Sequence, residues 1–267
     1  MWKWEADEQP KAVVAILHSV YEQHKWYAWL IAKLRSNGFH VVMGDLPGHG
    51  EQSKKSRYHD EEFTDYYKHM QLLMTVAKEY ELPIFIIGNG LGATIAQRML
   101  QKGKVECAGV VLTSPWQHLK LHPGKMVTAL STLGSLTANM KMKHEIPISL
   151  LTRNGDAYVE LKDDRTEKLG VTVQWYREYQ NVIKRLKDTE QLYPNVPTLM
   201  MVGGQDQVID IVAAKQWLLA QRLTEFQFKE WTLSNHGLYF EVEREDVFAY
   251  TKDFMNNVVR SLGYVVE

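Results

Sequence analysis

Cysteine is nearly absent: Cys107 stands alone among 267 residues. One thiol cannot close an intramolecular disulfide or build a Cys-based zinc cluster. A surplus of either charge is missing too, with 31 Lys and Arg against 32 Asp and Glu and a formal net charge of −1. Proteins that hold nucleic acid mainly by neutralising phosphate need a basic surplus, so that class is excluded, although a local basic patch is not. Long apolar runs are also lacking. Near the start the longest covers only residues 12–17, whereas a membrane-spanning helix needs roughly 20 apolar residues. The opening Met1-Trp2-Lys3-Trp4-Glu5 has no signal-peptide apolar region, which predicts a soluble cytoplasmic protein. Hydrophobic residues still make up 45% of the chain, enough for a packed core.

What is present is alternation. Apolar, β-branched runs at 13–17, 41–43, 84–87, 110–112 and 199–202 read as strands covered on both faces. Helical stripes lie between them. Trp26, Trp29, Leu30 and Leu34 share one face, as do Phe63, Tyr66, Tyr67, Met70 and Met74. Further helices are predicted over 91–100, 208–223 and 246–259, and a last strand over 226–231. Strands alternating with helices predict an α/β fold with a mostly parallel sheet flanked by helices. In such sheets ligands sit beyond the carboxyl ends of the strands. Residues 116–194 break the rhythm, with a helical stripe at Met126, Leu130, Leu133 and Met140 and no strong strand signal. They are expected to form a helical cap or lid on a core made of 1–115 and 195–267.

The strand at 84–87 runs straight into Gly88-Asn89-Gly90-Leu91-Gly92-Ala93, and a helix follows. Strand, Gly-rich turn and helix are the setting of the nucleophile elbow, G-x-S-x-G. Four other segments accompany it in order. They are 38–50 ending Asp45-Leu46-Pro47-Gly48-His49-Gly50, then Leu112-Thr113-Ser114-Pro115, the stretch 203–210 containing Gly203, Asp206 and Val208, and Ser234-Asn235-His236-Gly237-Leu238. Together these resemble the α/β-hydrolase superfamily, in its monoacylglycerol lipase and bacterial lysophospholipase branch, over nearly the whole chain. The resemblance implies an α/β-hydrolase fold. It implies Asp206 as the acid, His236 as the base, the amides of Leu91 and Val20 as the oxyanion hole, and a cap over an apolar chain tunnel.

The sequence departs from that pattern around one site. The nucleophile position is Gly90, which has no side chain to form an acyl-enzyme. The usual His-Gly after the oxyanion strand reads His18-Ser19, with Val20 next. The residue before the nucleophile, usually His, is Asn89. The usual Glu-His-x-x-Arg-Tyr reads Glu22-Gln23-His24-Lys25-Trp26-Tyr27. An engineered Ser→Gly change would explain Gly90 but not Ser19 and Asn89.

Each residue also has a plainer reading. Asp206 in a Gly-Gly-x-Asp turn can serve as a local cap, and His236 can be a satisfied loop histidine. Without a hydroxyl at 90, the pair can address only water as general base. Ser19 and Ser114 lie near the same sheet edge, Ser19 most simply as a turn residue. Cys107 reads as a packing residue. His18, His24 and His49 lack metal-ligand spacing, so neither metal nor cofactor is called for. Lys120, Lys125, Lys141 and Lys143, with His118, His122 and His144, read as a solvated face, or as weak attraction to anionic headgroups in transient contact with a membrane surface. The expectation is therefore a catalytically impaired lysophospholipase or monoacylglycerol lipase homologue that keeps its pocket. It would bind a small-molecule lipid-like ester or acyl ligand, with no nucleic acid and no partner protein readable. The alternatives are an active carboxylic-ester hydrolase using His236-activated water or a displaced nucleophile such as Ser19, an engineered inactive lysophospholipase, and a scaffold with a collapsed pocket. If the site is preserved, Gly90→Ser restores some ester cleavage.

Overall fold

In a computed structural model, described for residues 1–50, 58–121, 137–163, 170–188 and 193–263, the centre is a seven-stranded sheet in the order β1-β3-β2-β5-β6-β9-β10. Its strands are β1 (Trp2–Trp4), β2 (Ala12–Leu17), β3 (Phe39–Met43), β5 (Ile84–Asn89), β6 (Gly109–Thr113), β9 (Thr198–Gly203) and β10 (Phe226–Trp231). All neighbours are parallel except β1, which pairs antiparallel with β3. Every residue of β2, β3, β5, β6 and β9 is buried, as continuous apolar runs require when helices cover both faces. The edge strand β10 is partly exposed and carries Lys229 and Glu230, charges that discourage pairing with a foreign strand.

The helices of this core are α1 (Ala28–Arg35), α2 (Phe63–Lys78), α3 (Leu91–Gln101), α7 (Ile211–Ala220) and α8 (Arg244–Ser261). The apolar stripes turn inward as their spacing dictates: Phe63, Tyr66, Met70 and Met74 of α2 are all buried. Asp210 accepts a hydrogen bond from the Ala213 amide at 3.1 Å and so sets the start of α7. The helix expected over 208–223 therefore begins at Ile211, and it ends at Ala220.

Between β6 and β9 lie β7 (Lys141–Lys143), α4 (Ile148–Leu151), α5 (Gly155–Asp163), β8 (Gly170–Thr172) and α6 (Val173–Leu186). This stretch is not wholly helical. β7 and β8 join β4 (Tyr58–His59) in a second, three-stranded sheet. Strands of two or three residues are too short to show a period of two in sequence. Met126, Leu130 and Leu133 of the expected stripe, with Lys125 and His122, lie outside the described residues. Met140 is 45% exposed and precedes β7, so it is not part of a buried helical face.

The carboxyl ends of β2, β5, β6, β9 and β10 open into the segments 18–20, 90–91, 114–116, 204–206 and 234–236. The parallel sheet thus gathers at one edge the residues that the motifs singled out.

Candidate functional site

The turn between β5 and α3 is held by close backbone packing. A Cβ on Gly88 would sit 2.6 Å from the Ala93 Cα, and one on Gly92 would sit 2.3 Å from the Leu17 carbonyl oxygen. Gly90 itself has φ +51° and ψ −113°, a backbone state that costs L-residues about 1–3 kcal/mol. Its amide donates to the Thr113 carbonyl at 2.9 Å.

Across the edge, His236 and Asp206 come together. His236 Nδ1 lies 2.7 Å from Asp206 Oδ2, and both residues are buried. Asp206 Oδ1 accepts from the amides of Val208 at 2.7 Å and Ile209 at 3.1 Å. Burial pushes the Asp206 carboxyl up. The charge and hydrogen bond of His236 and these two amides outweigh it and hold the carboxyl below its ordinary range. The His236 carbonyl accepts from Ser114 Oγ at 2.8 Å, and its amide donates to the Leu150 carbonyl of α4 at 3.2 Å.

The proton-accepting side of His236 is taken. The indole Nε1–H of Trp116 donates to His236 Nε2 at 3.2 Å. Trp116 is fully buried and anchored at three points. Its amide donates to the Gly90 carbonyl at 3.2 Å, its carbonyl accepts from Tyr179 Oη at 2.8 Å, and its ring packs edge-on to Tyr179. Sequence reasoning missed Trp116. Its only signal was a tryptophan two positions after Ser114 at a strand's carboxyl end.

The space above Gly90 is also taken. A Cβ built on Gly90 would lie 2.1 Å from Ser19 Oγ, 2.8 Å from Ser19 Cβ and 3.1 Å from Trp116 Nε1. Ser19 Oγ accepts from the Leu91 amide at 3.1 Å, so one of the two expected oxyanion donors is engaged by a side chain of the chain itself. Val20, the other, is buried in the turn that Glu22 N closes on the Ser19 carbonyl.

Glu22 fixes Ser19. Its buried carboxylate accepts from the Ser19 amide at 2.8 Å, from Tyr27 Oη at 2.6 Å and from Asn89 Nδ2 at 2.9 Å. Asn89 Oδ1 in turn accepts from Thr113 Oγ1 at 2.9 Å. Asn89 therefore bridges the 18–22 turn and β6 through hydrogen bonds on both sides of its amide. His18 is tied in with its tautomer set by its partners, Nδ1–H to the Ser19 carbonyl at 2.7 Å and Nε2 from the Leu46 amide at 2.8 Å. Burial lowers its pKa and keeps it neutral.

The remaining sequence candidates lie elsewhere. His24 Nδ1 is 3.0 Å from the Asp45 carboxylate, and His49 Nδ1 pairs with the Pro47 carbonyl at 2.9 Å. Among the described residues no group of His, Cys, Asp and Glu side chains converges as a metal site. Burial pushes the Cys107 thiol up to about 12, which leaves it protonated. Lys120 Nζ donates to the Asp206 carbonyl at 3.0 Å, and Lys141 lies over the Tyr58 ring. Among the described residues no helix is long and apolar enough to cross a membrane.

The sequence profile of the serine aminopeptidase, S33 family matches residues 8–243. The chain belongs to that family. Among curated members, phospholipase YtpA of Bacillus subtilis is 31% identical over 261 residues, covering 97% of this chain and 100% of its own length. Mouse monoglyceride lipase is 25% identical over 249 residues, 90% of this chain and 80% of the mouse protein. The Paleococcus ferrophilus monoacylglycerol lipase structure superposes with a TM-score of 0.80 at 20% identity, over 97% of each chain. A soluble variant of Saccharomyces cerevisiae monoglyceride lipase, solved with a substrate analogue, gives 0.84 at 15% identity over 96% and 90%. This S33-family chain is thus a lysophospholipase and monoacylglycerol lipase-like α/β-hydrolase, the branch and fold that the motifs implied.

Proposed function

We propose that this family member has exchanged its elbow serine for Gly90, does not hydrolyse esters, and acts by binding a fatty acyl compound. One observation carries the catalytic half: the Trp116 indole donates to His236 Nε2, the nitrogen that would have to take a proton. With that nitrogen engaged and His236 buried, water has no base to activate it. Gly90 offers no side chain for an acyl-enzyme. An engineered change at 90 alone does not account for Ser19, whose hydroxyl fills the space a side chain at 90 would need. The ligand class follows from the relatives, a phospholipase and monoglyceride lipases. In this reading residues 116–194 cap the binding region, the protein works in the cytoplasm, and membrane contact is transient. The Gly90–His236 centre is filled by Trp116 and Ser19, so the acyl compound sits outside that centre.

A second reading has its own observation. Ser19 Oγ stands beside the place of the elbow side chain and already meets the Leu91 amide. Under it, Ser19 is a displaced nucleophile held idle by Trp116. Intact-mass analysis after exposure to a fluorophosphonate separates the two, on the protein and on Trp116→Phe. The binding reading expects no adduct on either. An adduct at Ser19 that appears or grows in Trp116→Phe supports the displaced nucleophile, and an adduct on the unchanged protein overturns the non-hydrolytic reading.

A further inference from the structure

Helix α6 borders a groove of about 350 Å³, within the roughly 300–1,000 Å³ of small-molecule sites. Residues 117–119, just past β6, form its other wall. Leu119, Tyr179 and Ile183 give it apolar surface, and Lys184 and Lys187 stand exposed at its rim. Tyr179 and Ile183 of α6 and Lys187 at its C-cap recur at helical spacing, so one face of the helix and its end supply both the apolar surface and the charge. No carboxylate is among the described residues that line it.

Gln117 adds an independent sign of a missing partner. It is 2% exposed and lines the groove, yet neither its Oε1 nor its Nε2 has a hydrogen-bond partner among the described residues. A buried polar group left unsatisfied is costly, so such groups normally have a partner. Here a donor and an acceptor are both unused at the wall of a pocket with cations at its rim.

We propose that this groove binds a single acyl chain bearing an anionic headgroup. The chain lies along Leu119, Tyr179 and Ile183. The Gln117 amide bonds the ester carbonyl and adjacent hydroxyl, and Lys184 and Lys187 meet the anion. The assignment rests on the ligand-binding reading above and adds its place and chemistry. The groove is separate from the Gly90–His236 centre. It meets that centre through Tyr179, whose hydroxyl donates to the Trp116 carbonyl.

The test compares two probes that differ only by a phosphate: 1-oleoyl-lysophosphatidate and 1-monooleoylglycerol. Both are titrated calorimetrically into the full chain below their critical micelle concentrations. The expected result is saturable binding, with the phosphate-bearing lipid about tenfold tighter. The double variant Lys184→Glu/Lys187→Glu should erase that preference, so that the phosphate-bearing lipid binds no tighter than monooleoylglycerol. Gln117→Leu should weaken both lipids several-fold. A phosphate preference that survives the double variant, or affinities untouched by Gln117→Leu, overturns the groove while leaving the ligand-binding reading intact. Failure of the unchanged protein to bind either lipid overturns both.

Discussion

Placing a serine at the elbow should fail when done alone and become tolerable only with a second change. The Cβ of Gly90→Ser would enter a position with φ +51°, a strain of about 1–3 kcal/mol. It would also lie 2.1 Å from Ser19 Oγ and 2.8 Å from Ser19 Cβ. Overpacking of this kind adds about 1–3 kcal/mol. Gly90→Ser alone should therefore cost about 2–6 kcal/mol, a large share of the roughly 5–15 kcal/mol that holds a typical domain. Ser19→Gly alone removes the acceptor of the buried Leu91 amide, at about 1–3 kcal/mol. In the double variant the overlap disappears and the new hydroxyl stands near the same amide. The two changes should then couple favourably by about 1–3 kcal/mol. Urea denaturation of the four proteins measures this directly. Additivity within about 0.5 kcal/mol would refute the reasoning, because it would mean that the Ser19 side chain does not occupy the space above residue 90. The naive expectation, that Gly90→Ser by itself revives ester cleavage, does not fit these distances. Cleavage should require Ser19→Gly and Trp116→Phe as well, so that the hydroxyl has room and His236 Nε2 is free.

Two further outcomes follow from the same network. Asp206 has a folded-state pKa below its unfolded value, so its contribution is fully present above about pH 4 and is lost as pH falls further. The stability advantage of the unchanged protein over Asp206→Asn should be flat from pH 6 to 8 and smaller at pH 3 in thermal or urea melts; an advantage that grows on acidification would contradict the assignment. Glu22→Gln keeps the shape but replaces a carboxylate that accepts from Ser19, Tyr27 and Asn89. It should cost about 1–3 kcal/mol in urea denaturation, and a cost below about 0.5 kcal/mol would show that the carboxylate does not organise the 18–22 turn.

The core of the fold was readable because its strands are buried on both faces. Runs such as Ala12–Leu17 and Thr198–Gly203 are uniformly apolar or β-branched, which alternation with helical stripes makes unambiguous. β1, β7 and β8 were not readable, because three residues carry no period and their pairing depends on partners far away in sequence. At the site, the motifs marked Gly90, Leu91, Asp206 and His236, since local turn chemistry brings those residue types to strand ends. What fills the site was hidden. Ser19 and Trp116 are ordinary residues in sequence, and only the fold brings Ser19 Oγ to the Leu91 amide and the indole to His236. Asn89 was visible as a departure, but its pairing with Glu22 across the sheet was not.

The packing of Ser19 against Gly90 also bears on ancestry. If the forerunner carried glycine at 19 and serine at 90, hydroxyl and hydrogen have traded places across a gap of 2.1 Å. Reversal one residue at a time must pass either through a protein with colliding side chains or through one with an orphaned Leu91 amide. Both intermediates are less stable than the present sequence, so the exchange acts as a ratchet. A lineage that has taken this step should keep Ser19 and Gly90 together, and related chains should show the two positions changing as a pair.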